Sequence, residues 1–298
     1  MVYTEEMYSY PNYPEMRADF SLPSEYYDRF TEDDHAVWRH LYDRQMKLVQ
    51  DYACEDYLEA LHRLPMNGDR IPRFEEINAM LYKATGWELV AVPGLIPVLP
   101  FFNHLATQAF PVTHWIRSRA KIDYLQEPDL FHDLFGHVPL LMIPQYADYM
   151  SAYGRGGCRA FRMGNETYVE FLQRLYWYTV EFGLIEEKGK LKIYGAGILS
   201  SPGEVVFSVD SDSPNRIYFD MERIMLTDFI ISDYQQTYWV IEAIDQLFKE
   251  TQQDFKPIYQ KLEQKLSQSG RLYAPGEVIA EDRVMNVGTA SYHRAKAS

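Results

Sequence analysis

Cysteine is almost missing from this chain of 298 residues. Cys54 and Cys158 are the only two, too few for a disulfide framework or for a structural zinc held by three or four thiolates, and they form no CxxC pair. Such usage suits a reducing cytosol. Positive charge is scarce as well: 29 Lys and Arg stand against 43 Asp and Glu, a formal net charge of −14, with no compensating basic block. That balance argues against binding a nucleic-acid phosphate backbone. No stretch approaches the ~20 apolar residues of a membrane helix. The opening Met1-Val2-Tyr3-Thr4-Glu5-Glu6 lacks both a basic n-region and an apolar h-region. The expectation is a soluble, cytoplasmic protein without a membrane partner. Gly195, Gly197 and Gly203 form a glycine-rich turn but lack the Lys-Ser/Thr of a phosphate loop, and Gly154, Gly156 and Gly157 are an equally weak dinucleotide signal. No internal repeat, low-complexity tract or Pro/Ser-rich linker divides the chain.

What the chain does have is apolar and aromatic weight. Hydrophobic residues make up 47% and aromatic residues 15%, enough to bury a large core. Tyr3, Tyr8, Tyr10, Tyr13, Tyr26 and Tyr27 lie among prolines and predict an irregular arm over residues 1–30. Thr31 followed by Asp34 has the pattern of a helix cap, after which Val37, Trp38, Leu41, Tyr42, Met46 and Val49 recur at helical spacing. Further helices are predicted over 55–64, over 73–85 where Gly86 stops the run, over 166–182, and near 234–250 and 254–268. Short strands are predicted over 87–92 and 112–117, and a hairpin joins 184–185 to 191–194 through a charged tip. The pattern predicts a mainly α (α+β) fold: one multihelical domain over 31–270 with a few short β-strands and hairpins, then a polar tail over 271–298.

Chemistry concentrates in Asp129-Leu130-Phe131-His132-Asp133-Leu134-Phe135-Gly136-His137. Pro128 is placed as the first residue of a helix that Gly136 and Pro139 would close. An i, i+5 spacing turns about 140° at 3.6 residues per turn, so His132 and His137 share a face only if the helix end reorients His137. A lone histidine on an apolar helix is more often a hydrogen-bonded core residue than a ligand; two within six residues improve the odds for metal. Glu181 is the sharper anomaly, the single charge in Trp177-Tyr178-Thr179-Val180-Glu181-Phe182-Gly183-Leu184. A carboxylate buried in such a run needs a cation, either an arginine, with Arg174, Arg155, Arg159 and Arg162 available, or a metal. Two imidazoles and one carboxylate are the donors of a mononuclear non-heme iron(II) oxygenase. The zinc-protease motif is absent, since Asp133 follows the first histidine and Gly136 occupies the i+4 position.

Three blocks then carry a family resemblance. Tyr124-Leu125-Gln126-Glu127-Pro128 continuing through His132 and His137 to Val138-Pro139-Leu140-Leu141, Leu175-Tyr176-Trp177-Tyr178-Thr179-Val180-Glu181-Phe182-Gly183-Leu184, and Tyr194-Gly195-Ala196-Gly197-Ile198-Leu199-Ser200-Ser201 resemble signature segments of the pterin-dependent aromatic amino acid hydroxylases. The likeness runs from about residue 33 to about residue 260, and 90–105 is similar to the bacterial branch that acts on phenylalanine. It implies the catalytic fold of that family, with His132, His137 and Glu181 as ligands of iron(II). It also implies a tetrahydropterin, tetrahydrobiopterin or similar, lying on Gly94, Leu95 and Ile96, with Phe101 as stacking platform and Asp133 and Tyr176 on the same side. Without the resemblance, Phe101 and Phe102 read as core. Arg117 corresponds to the arginine that holds the substrate carboxylate, a role suited to its fork. Tyr124, Leu125, Pro128, Trp177, Gly197 and Ser200 correspond to the wall and rim of the amino acid pocket.

The implied reaction is hydroxylation of L-phenylalanine to L-tyrosine, one atom of O2 going to the pterin and the other to the ring. Tryptophan 5-hydroxylation and phenylalanine 3-hydroxylation stand as alternatives inside the family; a pterin- or iron-binding protein without turnover, or a zinc hydrolase, stands outside it. The sequence departs from the animal pattern at Leu125, Gln173 and Val98. Nothing before residue 30 resembles an amino-acid-sensing domain and the tail lacks a sustained heptad, so the expectation is a monomer whose partners are small molecules.

Overall fold

The structure is a computed structural model that describes Tyr10 and residues 12–123, 127–252 and 254–290. Two compact units divide it, Met1–Lys47 with Glu55–Arg159, and Leu48–Cys54 with Ala160–Ser298. Among the described residues no helix is long and apolar enough to cross a membrane.

In the first unit, capping and apolar period set the helices. The Asp34 N–H donates to Thr31 Oγ1 at 3.2 Å while the Thr31 N–H donates to Asp34 Oδ2 at 2.7 Å, a reciprocal box that opens α1 (Glu32–Tyr52). The apolar stripes of α2 (Glu55–Arg63) and α3 (Phe74–Thr85) are buried, and α3 ends on Gly86 at φ 77°. Next come β1 (Glu88–Val92), α4 (Val98–Ala106) and β2 (Ala109–Thr113), the two strands pairing in parallel. Strand β2 begins three residues before the predicted 112–117, because Ala109, Phe110 and Val112 are all buried, and it ends where the Thr113 N–H donates to Asp133 Oδ2 at 2.7 Å. Arg117 therefore lies beyond the strand. After the histidine segment come α5 (Val138–Leu141) and α6 (Pro144–Arg162). A Cβ on Gly154 would come within 2.4 Å of the Ala106 nitrogen, and one on Gly157 within 2.2 Å of the Phe102 ring. These glycines let α6 pack against the backbone and buried ring of α4; their role is close approach.

The second unit begins with α7 (Glu166–Tyr176), where the Asn165 side chain accepts from the Thr167 N–H at 3.1 Å. Strands β3 (Leu184–Glu187) and β4 (Lys190–Ile193) form the expected hairpin, with Lys188 and Gly189 left-handed at φ 53° and 75°. Then follow α8 (Ala196–Leu199), α9 (Pro202–Asp210), β5 (Asn215–Tyr218), α10 (Met221–Met225), β6 (Thr237–Ile241), α11 (Ile244–Thr251), α12 (Phe255–Ser269) and β7 (Val284–Asn286). The sheet order is β4-β3-β6-β5-β7. The helix predicted near 234–250 is corrected here: Thr237-Tyr238-Trp239-Val240-Ile241 is a wholly buried central strand, and the helix starts only at Ile244. A β-branched and aromatic run covered on both faces has no alternation to betray it. The segment read as a polar tail supplies β7, which pairs antiparallel with β5. Cys54 and Cys158 are both buried and take no part in a disulfide.

Candidate metal centre and its surroundings

Helix entry at the histidine segment differs from the expected one. Pro128 lies outside the helix, which begins at Leu130, and Asp129 caps it, its Oδ1 accepting from the His132 N–H at 3.1 Å. From His132 to His137 the chain winds as a π-helix and continues into α5, so neither Gly136 nor Pro139 closes it. Pro139 sits in the first turn of α5, where its missing N–H is tolerated. The wider π turn bonds residues five apart, which brings an i, i+5 pair onto one face. The 140° separation of an ideal α-helix disappears. The two Nε2 atoms stand 3.1 Å apart with the rings at 87°. Two nitrogens bonded to one ion at ~2.1 Å and at right angles would be roughly 3 Å apart, so the pair fits adjacent positions on a shared metal. His137 is buried against Phe110, ring centroids 5.1 Å apart, and His132 is half-buried.

Charge surrounds this turn. Asp129 is 0% exposed and takes the Arg117 fork on both oxygens, Nε to Oδ2 at 2.8 Å and Nη2 to Oδ1 at 2.8 Å, with the Arg117 N–H also on Oδ2 at 2.9 Å. The guanidinium is thereby fixed in orientation, and Nη1 enters neither bond. Sequence reasoning passed over Asp129, although an Asp immediately before the apolar Leu130-Phe131 carries a cap signal. Asp133 is buried with its carboxylate on the Thr113 N–H, and burial pushes it up to about 7. It ties the end of β2 to the π turn.

Gly94, Leu95 and Ile96 lie between β1 and α4, with Gly94 buried and the other two half-buried. The Leu95 carbonyl accepts from the Tyr10 hydroxyl, and the Pro93 carbonyl from Trp115 Nε1 at 3.1 Å. On α4, Phe102 is core at 1% exposure, whereas Phe101 is half-buried. Pro128 is half-buried; Tyr124 and Leu125 lie outside the described residues.

In the second unit, α7 passes into another π turn, Trp177–Glu181, and the Phe182 N–H closes it on the Trp177 carbonyl at 2.9 Å. Glu181 is half-buried, more open than the apolar run suggested. Arg174, the nearby arginine in sequence, pairs with Glu170 at 3.3 Å. Glycines shape the segment after Glu181. A Cβ on Gly195 would fall 2.5 Å from the Glu181 carbonyl oxygen, one on Gly197 3.0 Å from it, and one on Gly183 2.1 Å from the Tyr194 ring. The glycine-rich turn exists so that 194–197 can lie flush on the backbone of Glu181. Tyr176 and Trp177 are half-buried, as is Gly197, and the buried Ser200 hydroxyl donates to the Ala196 carbonyl at 2.9 Å.

A family model for biopterin-dependent aromatic amino acid hydroxylases matches residues 21–274. The chain belongs to this family. Among its relatives, this hydroxylase is 50% identical to the phenylalanine-4-hydroxylase of Chromobacterium violaceum, over 91% of this chain and 88% of that one. It is also 50% identical to the phenylalanine-4-hydroxylase of Ralstonia nicotianae, over 92% and 85%. The crystal structure of the Chromobacterium violaceum enzyme with bound oxidised Fe(III) superimposes with a TM-score of 0.84, covering 90% of this chain and 94% of that one at 50% identity. A structure of that enzyme bound to cobalt gives 0.85, covering 90% and 93% at 50% identity. The hydroxylase thus has the mainly helical fold of the family, small sheets included.

Proposed function

We propose that the protein is an iron(II)- and tetrahydropterin-dependent monooxygenase that converts L-phenylalanine to L-tyrosine. The observation that carries this reading is the 50% identity, along nearly the whole chain, to two phenylalanine-4-hydroxylases. His132, His137 and Glu181 would hold the iron, two imidazoles and one carboxylate. The donor set supports iron, as does the Fe(III) bound by the Chromobacterium violaceum enzyme. When bound, iron(II) and tetrahydropterin supply the electrons that reduce O2 and the oxidant that hydroxylates the ring.

The chain's own residues bind and orient. Gly94, Leu95, Ile96, Phe101, Asp133 and Tyr176 would hold the pterin, and the half-buried Phe101 offers a ring face that the core residue Phe102 does not. Arg117 would take the substrate carboxylate through Nη1, its plane held by the Asp129 fork. Tyr124, Leu125, Pro128, Trp177, Gly197 and Ser200 would shape the amino acid pocket. No side chain needs to act as nucleophile or general base, so the protein's contribution is position and exclusion of water. The protein acts as a cytoplasmic monomer in this reading. Support comes from α12, which turns Phe255, Tyr259 and Leu262 inward, and from two buried cysteines outside any disulfide.

Incubating iron(II)-loaded protein with tetrahydropterin, O2 and a mixture of L-phenylalanine, L-tyrosine and L-tryptophan tests the proposal. L-Tyrosine formed from phenylalanine with matching pterin oxidation is expected. No pterin-dependent hydroxylation would overturn it, and 5-hydroxytryptophan as dominant product would reassign the substrate.

A further inference from the structure

Trp177 opens the second π turn, and a buried amide holds its indole. Its Nε1–H donates to Gln235 Oε1 at 3.0 Å. Gln235 is 1% exposed and its Nε2 donates to the Ile230 carbonyl at 2.8 Å, so the amide cannot flip without setting N–H against N–H and oxygen against oxygen. The Gln235 backbone is anchored in turn: its N–H points at Glu204 Oε1 at 3.4 Å, and the Tyr238 hydroxyl donates to the same oxygen at 2.7 Å. Glu204 is itself buried, and its place is set by Ser201, whose Oγ accepts from the Glu204 N–H at 3.4 Å. The flat side of the indole stacks on Phe229, centroids 4.6 Å apart and planes 23° from parallel, with Phe182 tilted at 4.7 Å.

A tryptophan needs two restraints to be immobile: one on its plane and one on rotation within that plane. Phe229 supplies the first. The Nε1–H bond supplies the second, and it comes from a residue 58 positions away in the chain. Gln235 lies just before β6, and its amide joins two partners: Nε2 satisfies the Ile230 carbonyl while Oε1 fixes the indole.

We propose that Gln235 is a positioning residue for the aromatic amino acid: by fixing the Trp177 indole it keeps one wall of the substrate pocket in register, while leaving the chemistry of oxygen and pterin untouched. This rests on the reading that Trp177 lines that pocket.

The test is a double-mutant cycle with Gln235→Met, which keeps volume and removes the acceptor, and Trp177→Phe, which keeps the stacked ring and removes the donor. Thermal melts establish that each variant folds. Loss of one net hydrogen bond of about 1 kcal/mol corresponds to roughly fivefold, so each single variant should raise the KM for phenylalanine about three- to tenfold. The double variant should be no worse than the worse single one, and in Gln235→Met kcat and the pterin KM should stay within about twofold of wild type. A purely structural glutamine would lower the melting temperature and leave KM alone, which would overturn the proposal. Additive rises in KM would overturn it too, because the two residues would then act separately. If neither single variant moves the phenylalanine KM, Trp177 is not a pocket wall and the inference falls with that premise. Calorimetric binding of phenylalanine to the cobalt-loaded, pterin-free protein reads the same cycle without turnover. Wild-type protein that binds no phenylalanine there would reject the functional reading itself, together with this inference.

Discussion

Between His132 and His137 the backbone is held by charge; between Trp177 and Glu181 it is held by neutral hydrogen bonds and by glycines. The first π turn begins on Asp129, whose two oxygens bind the Arg117 fork, and Asp133 anchors it to β2. In the second, the Tyr178 hydroxyl donates to the Asp228 carbonyl at 2.5 Å, the Thr179 hydroxyl to the Leu175 carbonyl at 2.6 Å, and Gly195 and Gly197 lie against the carbonyl of Glu181. Both turns widen a helix by one residue where a proposed metal ligand must point out of register with the preceding turns. The difference teaches how each would fail. A buried ion pair stripped of one partner leaves a charge in a dry place, whereas a lost neutral bond leaves one carbonyl unsatisfied.

Three substitutions probe that contrast, and the largest effect falls on the charged turn. Asp129→Ala would strand the Arg117 guanidinium, which is 7% exposed, and chemical denaturation should show a loss of about 3–5 kcal/mol. If it costs no more than the next variant, charge does not hold the first turn. Tyr178→Phe removes one buried hydroxyl from the neutral turn and should cost about 1–2 kcal/mol in the same assay. The smallest effect depends on pH. Burial raises Glu204 from 4.5 to about 7, so the folded chain keeps a proton that an unfolded one releases. Glu204's contribution to stability should therefore fall as pH rises from about 4.5 to about 7, and its full penalty should stand above that range. Glu204→Gln keeps an acceptor for Tyr238 and Gln235 but cannot ionise. Its melting temperature relative to wild type should rise between pH 5 and pH 8, and a flat difference would show that Glu204 titrates normally.

Much of the helical frame was legible because period and caps agreed: Thr31 with Asp34 opens α1, and Phe74, Ile77 and Leu81 with Gly86 delimit α3. The strand at 237–241 was misread because a run buried on both faces shows neither alternation nor a helical stripe. The π turns were illegible for a different reason. Propensity says which residues favour a helix, not where one extra residue enters a turn, so the i, i+5 histidines looked misaligned until the backbone was seen to widen between them. Asp129 could have been found from its capping position and Glu204 from the Ser201-x-x-Glu204 box. Gln235 had no local signal at all, since its partner is distant in the chain and its chemistry is an ordinary amide.

The central proposal is that His132, His137 and Glu181 would be the ligands of one iron. Metal analysis of wild-type and Glu181→Ala protein, reconstituted with iron(II) without oxygen and then desalted, tests it most directly when paired with pterin-dependent tyrosine formation on the same samples. Wild-type protein should retain close to one iron per chain and form tyrosine, and Glu181→Ala should lose most of the iron and nearly all the activity while its melting curve stays cooperative. Full iron occupancy with undiminished tyrosine formation in Glu181→Ala would contradict the account.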